Sequence, residues 1–401
     1  MSHLRTSCGS LSFDNPFLLA SAPPTASVGM IRKAFALGWG GAVTKTIKPD
    51  NLAITDVSPR FNVVGARLGE VFGFENIELV SKRDVAYWVK SVGELKREFP
   101  NKVLIASIMG DTEASSWEAL AAMMEAAGAD ALELNFSCPH GMPEMGVGAA
   151  IGQNADISAR ITGWVKSTVG IPVIVKLTPN VTDVSPIAKA VRAAGADMIA
   201  AINTVESLTG VDLESFEPQP SVGGFSTYGG YSGRAVKPIG LRVVSQIARS
   251  VDAPILGMGG ISQWSDAAEY IALGASVVQI CTEVMLKGFG IIDSLKGGLS
   301  EYLDRKGLAS PDELRGKALI RLTSHESLAR SEKRFPSLGA GACMRCGRCV
   351  TACADGGYGA IAMGSASVSF DYAKCDGCSL CSHVCPVHAI AMSELKAAGA
   401  A

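Results

Sequence analysis

Residues 117–135 read WEALAAMMEAAGADALELN, a helical pattern, a glycine turn and an apolar run in direct succession. Trp117–Ala127 predicts a helix, Gly128 ends it, and Ala131–Asn135 predicts a buried strand. Glycine-stopped helices that lead straight into apolar strands predict a parallel sheet covered by helices. The same order recurs at Pro186–Ala194 with Gly195 and at Asp266–Leu273 with Gly274.

Short apolar runs of this kind occur eight times in the first 300 residues. Eight strands alternating with helices predict an α/β fold, the (β/α)8 TIM barrel, with an open doubly wound sheet as the alternative. Two connections, Ile47–Lys102 and Thr204–Lys237, are long and leave the C-terminal ends of strands, where barrel enzymes build their active sites. The predicted strands are Phe17–Ser21, Ala42–Thr46, Val103–Ile108, Ala131–Asn135, Val173–Leu177, Met198–Asn203, Ile255–Gly259 and Val277–Cys281.

The composition excludes several classes of function. The 401 residues hold 36 Lys and Arg against 38 Asp and Glu, so a basic nucleic-acid surface is not expected. No apolar stretch approaches the roughly 18–20 residues of a membrane helix, and the first residues lack the apolar core of a secretory signal. We therefore expect a cytoplasmic protein with neither a membrane nor a nucleic-acid partner.

Cysteines are concentrated in the tail, where eight of the 11 lie between Cys343 and Cys385. They form two runs, Cys343-x2-Cys346-x2-Cys349-x3-Cys353 and Cys375-x2-Cys378-x2-Cys381-x3-Cys385. This doubled spacing is typical of bacterial two-cluster ferredoxins, in which the fourth cysteine of each run binds the other cluster. A structural zinc site is the alternative, but it would explain only pairs of cysteines. The pattern predicts one 4Fe-4S cluster on Cys343, Cys346, Cys349 and Cys385 and a second on Cys375, Cys378, Cys381 and Cys353.

Composition and pattern together divide the chain into three predicted parts. Residues 1–303 form the barrel, 304–338 a charged connector, and 339–401 a ferredoxin-like domain with two 4Fe-4S clusters. Because such a domain transfers single electrons, the two-electron chemistry is expected in the barrel.

Polar residues stand at the C-terminal ends of the predicted barrel strands. A lysine at a strand end is often a solvated cation, but Lys45 and Lys176 flank apolar strands, which favours a function. Asn135 and Asn203 stand at the ends of the fourth and sixth strands. The other strand-end residues of interest are Thr46, Thr204, Cys281 and Thr282.

The turn after the seventh strand contains Gly259 and Gly260, and Ser262 is suited to capping the next helix. Bare backbone N–H groups at a helix start are the usual phosphate pocket of a barrel. A phosphate pocket in a chain with an electron-transfer domain indicates FMN. Nicotinamide binding is not expected in this chain, because the nearest glycine pattern, Gly146-Val147-Gly148, has the wrong spacing and context for a dinucleotide site.

Four longer motifs resemble the pyrimidine-reducing part of the dihydropyrimidine dehydrogenase family: Asn135–Met142, Lys176–Asp183, Ile202–Val205 and Thr227–Gly233. With the clustered cysteines included, the chain is similar to the flavin and iron–sulfur subunit of the bacterial NAD-dependent enzymes, whose barrel is of the dihydroorotate dehydrogenase superfamily. The resemblance implies reduction of uracil and thymine to their 5,6-dihydro forms in pyrimidine catabolism. Electrons would reach FMN through the clusters from a partner subunit that carries FAD and binds NAD(P)H.

The resemblance also implies roles for individual residues. FMN would deliver hydride to carbon 6 of the pyrimidine, and Cys138 takes the place of the general acid that protonates carbon 5. The expected pyrimidine contacts are Asn76, Glu78, Asn135, Phe136, Ser137, Asn203 and Thr204. The expected FMN contacts are Ser21, Lys45, Thr46, Lys176, Gly233, Met258, Gly259, Gly260, Cys281 and Thr282.

Three alternatives stay open. The nearest is a dihydroorotate dehydrogenase, but His140 follows Cys138-Pro139 where Asn is expected in that branch, and the fused cysteine tail is unusual there. A reductase of another planar alkene is the second. The third is an electron-transfer subunit whose barrel merely holds FMN, which would need neither Cys138 nor the paired asparagines.

Overall fold

The computed structural model describes residues 2–66, 69–136, 149–339 and 343–394. The chain divides into two compact units, Met1–Leu322 and Thr323–Ala401.

The first unit is built on a closed parallel barrel, which confirms the predicted fold class. Each strand pairs with the next one along the chain, and the eighth pairs with the first, Val278 opposite Phe17. Three strands have the predicted bounds, and the other five leave the sheet one to three residues earlier than predicted. The barrel strands are Phe17–Leu19, Gly41–Val43, Val103–Ile108, Ala131–Asn135, Val173–Leu177, Met198–Ala201, Ile255–Met258 and Val277–Ile280.

Helices surround this barrel because successive side chains of each strand point to opposite faces of the sheet. On the fourth strand, Leu132 and Leu134 face the helical layer, where they join Trp88 and Trp117 in one apolar cluster. The helices of this unit are Val28–Ala36, Val85–Glu98, Ala114–Ala126, Ala149–Gly152, Ala155–Thr168, Ser185–Ala193, Lys237–Ser250, Trp264–Ala272, Thr282–Lys287, Ile291–Lys306 and Pro311–Leu314.

The two ends of the barrel differ in character. A hairpin of Thr6–Cys8 and Leu11–Phe13 packs under the interior side chains, and Cys8 is fully buried there, in keeping with a structural role. At the opposite end the two long connections pair with each other in a four-stranded antiparallel sheet. Its strands are Phe61–Val64, Gly73–Asn76, Val205–Ser207 and Gly229–Ser232.

The second unit is small and has its own core, which contains Cys349, Cys381 and Ile361. Strand Arg334–Leu338 pairs with Ile390–Glu394, and Ile361–Met363 pairs with Val368–Phe370. Its helices are Arg348–Asp355 and Leu380–His383. Within the described ranges of both units, no helix combines the length and the apolar character needed to span a membrane.

A tyrosine fixes the end of the seventh barrel strand. The hydroxyl of buried Tyr270 donates to the carbonyl oxygen of Gly259 at 2.7 Å and lies 3.2 Å from that of Met258. Helix Lys237–Ser250 passes close above it at Gly240, where an added Cβ would lie 1.8 Å from the tyrosine oxygen. Only glycine therefore lets this helix approach the strand end.

We predict that Gly240→Ala destabilises the first unit by about 1–3 kcal/mol, because the methyl group must displace Tyr270 or the helix. Gly163→Ala is the matched control, since Gly163 also lies inside a helix but has open space around it, and it should stabilise by about 0.5–1 kcal/mol. Urea unfolding followed by tryptophan fluorescence reports this unit alone, because all five tryptophans lie in it. Equal effects of the two substitutions would contradict the packing argument.

Candidate functional site

A single cavity collects almost all the predicted barrel residues at the C-terminal end of the sheet. Most of the residues by which the predicted strands exceed the observed ones line the cavity, just beyond the regular part of the sheet. Among the described residues of the predicted set, Phe136 is the exception, since its ring is fully buried and packs edge-on against Trp117. The predicted residues that line the cavity are Ser21, Lys45, Thr46, Asn76, Glu78, Asn135, Lys176, Asn203, Thr204, Gly233, Met258, Gly259, Gly260, Cys281 and Thr282.

Lys45 and Glu78 form an ion pair in the wall of the cavity. The Lys45 Nζ atom lies 2.5 Å from Glu78 Oε2, and the side chains are only 11% and 10% exposed. Arg60 Nε donates to the other oxygen, Oε1, at 3.3 Å. Glu78 thus bridges two cations, one at the end of the second barrel strand and one in the long connection that follows it.

The hydroxyl of Thr46 links three neighbouring polar side chains. Asn135 Nδ2 donates to Thr46 Oγ1 at 2.9 Å, and the hydroxyl oxygens of Ser21 and Ser107 lie 3.1 and 3.0 Å away. Asn135 is in turn 3.4 Å from Asn203, whose Nδ2 points at its amide oxygen. The amide groups at the ends of the fourth and sixth strands are therefore held in one hydrogen-bonded chain.

Asn180 holds the backbone around Thr204 in place. Asn180 Nδ2 donates to the carbonyl oxygen of Thr204 at 3.2 Å, and the N–H of Glu206 donates to Asn180 Oδ1 at 2.9 Å. Asn76 completes the set of amides from the other side, donating to the carbonyl oxygen of Gly230 at 3.1 Å.

A buried polar layer lies inside the barrel beneath the cavity. Glu133, Lys176 and Gln279 occupy inward positions on three strands, and each side chain is at least nine-tenths buried. Gln279 Nε2 donates to Glu133 Oε2 at 2.7 Å, and Lys176 Nζ lies 3.5 Å from Glu133 Oε1. Glu133 therefore provides the counter-charge for the buried Lys176 ammonium.

Glycine residues form the floor at one end of the cavity. Gly233, Gly259 and Gly260 all have positive φ, at 89°, 121° and 71°. A Cβ on Gly260 would lie 2.6 Å from the backbone nitrogen of Lys237, and one on Gly233 would lie 2.9 Å from the carbonyl oxygen of Phe72. Hydroxyls border this end, with Ser232 Oγ 2.8 Å from Thr282 Oγ1. The bare backbone and hydroxyls suit an anionic group such as phosphate.

Asp266 fixes the turn that carries two of these glycines. Its Oδ2 accepts from the N–H and the hydroxyl of Ser262, both at 2.9 Å, and from the N–H of Gln263 at 3.1 Å. Lys237 Nζ donates to Oδ1 at 2.7 Å. Ser262 does not act as the predicted cap, because the helix begins one residue later, after Gln263, and Asp266 satisfies the turn from within the helix.

The charge states of two groups follow from their surroundings. Burial by itself raises the pKa of the Asp266 carboxyl, but hydrogen bonds from Lys237 and Ser262 outweigh burial and leave the pKa below its ordinary value. Burial also raises the pKa of the Cys281 thiol to about 11, against the opposing effect of Lys45 and Lys176. Cys281 is therefore a neutral thiol near neutral pH.

Two expected site residues, Ser137 and Cys138, lie outside the described residues, as does His140. The described chain reaches Phe136 directly after the fourth strand and resumes at residue 149. The segment that carries Cys138 therefore starts from the strand end that places Asn135 in the cavity.

In the second unit, cysteines from both runs come together. A cavity is lined by Cys343, Cys346, Cys349 and Cys385, the first predicted ligand set. Cys353 and Cys385, the fourth cysteines of the two runs, both accept a backbone N–H at sulfur, from Ala360 at 3.3 Å and from Ala389 at 3.2 Å. Among the described residues, no three acidic, histidine or cysteine side chains converge as a single metal ion requires.

Sequence reasoning missed several residues that shape the cavity. Glu133 and Gln279 could have been found, because each interrupts an apolar strand at an inward position. Arg60 and Asp266 carry no such signal, since they lie in a long connection and in an ordinary helix start.

Comparison with known proteins finds two families, each matching a different part of the chain. The model of the dihydroorotate dehydrogenase family matches residues 3–303, and that of the 4Fe-4S dicluster domain matches residues 338–392. The chain is 40% identical, over 98% of its length and 95% of the relative's, to the NAD-dependent dihydropyrimidine dehydrogenase subunit PreA of Escherichia coli.

Two further relatives widen the comparison. The chloroplastic dihydropyrimidine dehydrogenase (NADP(+)) of Arabidopsis thaliana is 38% identical over 82% of this chain and 80% of its own. The catalytic subunit of dihydroorotate dehydrogenase B (NAD(+)) of Pyrococcus abyssi is 37% identical over 77% of this chain and 97% of its own.

The turn held by Asp266 leads to a prediction about pH. Asp266→Asn should lower the free energy of unfolding by about 1–3 kcal/mol near neutral pH, because the charged partner of Lys237 is lost. A carboxyl whose pKa is lowered in the folded state stabilises above its unfolded pKa of about 3.9, and that stabilisation is lost as the pH falls through the lower folded pKa. The gap between wild type and variant should therefore shrink in acid. Urea unfolding at neutral and acidic pH measures this gap, with exposed Asp293→Asn as control; a gap independent of pH would contradict it.

Proposed function

The chain belongs to the dihydropyrimidine dehydrogenases within the dihydroorotate dehydrogenase family, and we propose that it reduces uracil and thymine to 5,6-dihydrouracil and 5,6-dihydrothymine. In this proposal the barrel binds FMN and the pyrimidine, and the second unit delivers electrons. NAD(P)H and FAD would bind to a separate partner subunit, in a cytoplasmic complex.

The main support for the proposal is that three asparagine side chains line one cavity. Asn76, Asn135 and Asn203 lie with Thr204 around the same space, although they come from three separate parts of the chain. An amide offers one donor and one acceptor group, and the edges of uracil and thymine present the same two kinds of group in alternation. Amide side chains, which carry no net charge, can therefore orient a neutral planar pyrimidine by hydrogen bonds.

The glycine-lined end of the cavity supports FMN as the cofactor. Gly233 and Gly260 have positive φ and no room for a side chain, so the backbone turns tightly at this end of the cavity, where N–H groups can face an anion. Lys45, Lys176 and the hydroxyls of Ser21, Thr46 and Thr282 would contact the bound cofactor, together with Met258, Gly259 and Cys281. When bound, FMN supplies the hydride and converts single electrons into pairs.

This chain's own residues would prepare the reaction in three ways. The amides fix the pyrimidine plane, and the Thr46 hydroxyl keeps Asn135 in its orientation. The buried Glu133 carboxylate lies beside the Lys176 ammonium and provides its counter-charge. Cys138, from the segment that follows Asn135, would hold the proton for carbon 5, and a thiol with an ordinary pKa near 8.5 is protonated at neutral pH.

The two cysteine runs would hold the clusters with crossed fourth ligands. Cys343, Cys346, Cys349 and Cys385 surround one cavity, which supports the crossing of Cys385 to the first run. By the same pattern Cys353 would join Cys375, Cys378 and Cys381. N–H groups directed at the sulfurs of Cys353 and Cys385 suit thiolate ligands, which carry negative charge.

An anaerobic titration tests the proposed function. The holoprotein, with FMN and both clusters, is reduced with dithionite, and the flavin absorbance is followed after addition of uracil, thymine or orotate. Reoxidation by uracil or thymine, with dihydropyrimidine formed, is the expected result. Reoxidation by orotate alone would assign the chain to dihydroorotate oxidation, and no reoxidation by any of the three would leave another alkene or a pure electron relay.

Cys138→Ala sharpens the same experiment. We expect the variant to retain FMN and both clusters but to lose about 100-fold or more of its rate of uracil reduction, because the proton donor is missing. Cys8→Ala is the control, since this thiol is buried at the opposite end of the barrel, away from the cavity, and has no proposed proton to transfer. An unchanged rate in Cys138→Ala would remove this residue from the mechanism.

The crossing of the fourth ligands is also testable. Cys353→Ser should alter the same cluster as Cys381→Ser, and Cys385→Ser the same cluster as Cys349→Ser. Electron paramagnetic resonance of the dithionite-reduced proteins, combined with iron content, distinguishes the two clusters. If Cys353→Ser instead matched Cys349→Ser, each run would hold its own cluster and the crossed ligand sets would be wrong.

A further inference from the structure

We propose that Glu78 makes the cavity selective for pyrimidines without a carboxylate at carbon 6, by occupying the Lys45 cation and placing a fixed negative charge beside it. This inference rests on the proposed function, because it concerns which members of the pyrimidine class enter the same cavity. It assigns to Glu78 a role in rejecting substrates, in addition to any contact with the pyrimidine that is accepted.

The geometry of the pair provides the first argument. Lys45 stands at the end of the second barrel strand and Glu78 follows strand Gly73–Asn76, two residues after Asn76. Both side chains line the cavity, and their 2.5 Å contact is almost completely shielded from solvent. Water and salt therefore screen this pair, and any charge placed next to it, only weakly.

The balance of charge in the cavity wall provides the second argument. Each cation among the described lining residues has its own carboxylate: Lys45 has Glu78, Lys176 has Glu133, and Arg234 has Glu70 and Glu283. Arg60 also contacts Glu78, but it does not line the cavity, and its guanidinium lies over the ring of Phe61 at 5.0 Å. A ligand carboxylate would thus find no lining cation without an anionic partner in the described wall.

Uracil and orotate differ in charge, so the balance of charge in the cavity wall affects their binding differently. Orotate differs from uracil by one carboxylate at carbon 6. A protein that binds orotate therefore needs a positive group that is not already paired with a carboxylate. In this cavity the orotate carboxylate would compete with Glu78 for Lys45 and would meet a like charge in a poorly screened place. Uracil and thymine bring no charge and meet neither cost. Specificity of this kind depends on a repulsive element against the wrong ligand.

A comparison of two ligands on the wild-type holoprotein tests the role of charge directly. Orotamide carries a neutral amide where orotate carries its carboxylate, and the two groups have nearly the same size. Equilibrium dialysis against the oxidised holoprotein should show orotamide binding about tenfold or more tightly than orotate. Equal affinities for the two ligands would mean that size or shape excludes orotate, and would overturn the proposal.

Glu78→Gln tests the residue itself. Removing the charge while keeping the shape should strengthen orotate binding by about tenfold or more, since Lys45 becomes free to pair with the ligand. Glu206→Gln is the matched control, because Glu206 is exposed on strand Val205–Ser207, next to Thr204, and should leave orotate affinity unchanged. Unchanged or weaker orotate binding in Glu78→Gln would overturn the proposal.

Uracil binding in the same dialysis separates this inference from the function on which it rests. A wild-type holoprotein that binds neither uracil nor thymine would refute the proposed function. A wild-type holoprotein that binds uracil but does not distinguish orotamide from orotate would refute only the role of Glu78. The wild-type comparison also decides the matter if Glu78→Gln fails to fold.

Discussion

The parallel pairing of the eighth strand with the first closes the barrel sheet. This closure constrains where the residues of the cavity lie. A closed parallel barrel brings the C-terminal ends of all its strands to one face, whatever their separation in the chain. Alternation along each strand then determines which side chains point inward. Asn135 and Lys176 are opposite each other in the register of the fourth and fifth strands, and both are inward positions. Closure therefore assembles a polar site from residues that no local contact would bring together.

The same alternation explains the charged layer beneath the cavity. Glu133 is two residues before Asn135, so the two side chains point to the same side of the fourth strand. A carboxylate fully removed from water is costly unless it is paired, and here Lys176 from the adjacent fifth strand and Gln279 from the eighth strand, across the barrel, supply the partners. The buried layer thus couples the stability of the barrel to the charge of a lysine that lines the cavity.

The barrel could be predicted from sequence because its signal is local and repeated. Three strands have the predicted bounds, and residues such as Lys45, Asn203 and Gly260 reach the cavity as expected from their place at strand ends. The pairing of the two long connections could not be predicted, since antiparallel partners such as Asn76 and Gly230 are far apart in the chain and have no repeat between them. This pairing, and not any motif, brings Asn76, at the end of its strand, and Glu78, two residues later, to the cavity wall.

The proposed selectivity depends on the long connection that contributes to this second sheet. The barrel strands provide Lys45 and Lys176, which by themselves would make a site for anions. One carboxylate, Glu133, comes from within the barrel, and the other, Glu78, comes from the connection that folds over it. A family that shares the barrel can therefore change the charge of its substrate by changing the connection, without altering the strand ends that hold the cofactor. On this view the connection that carries Glu78 determines whether the cavity accepts a neutral pyrimidine or a pyrimidine carboxylate.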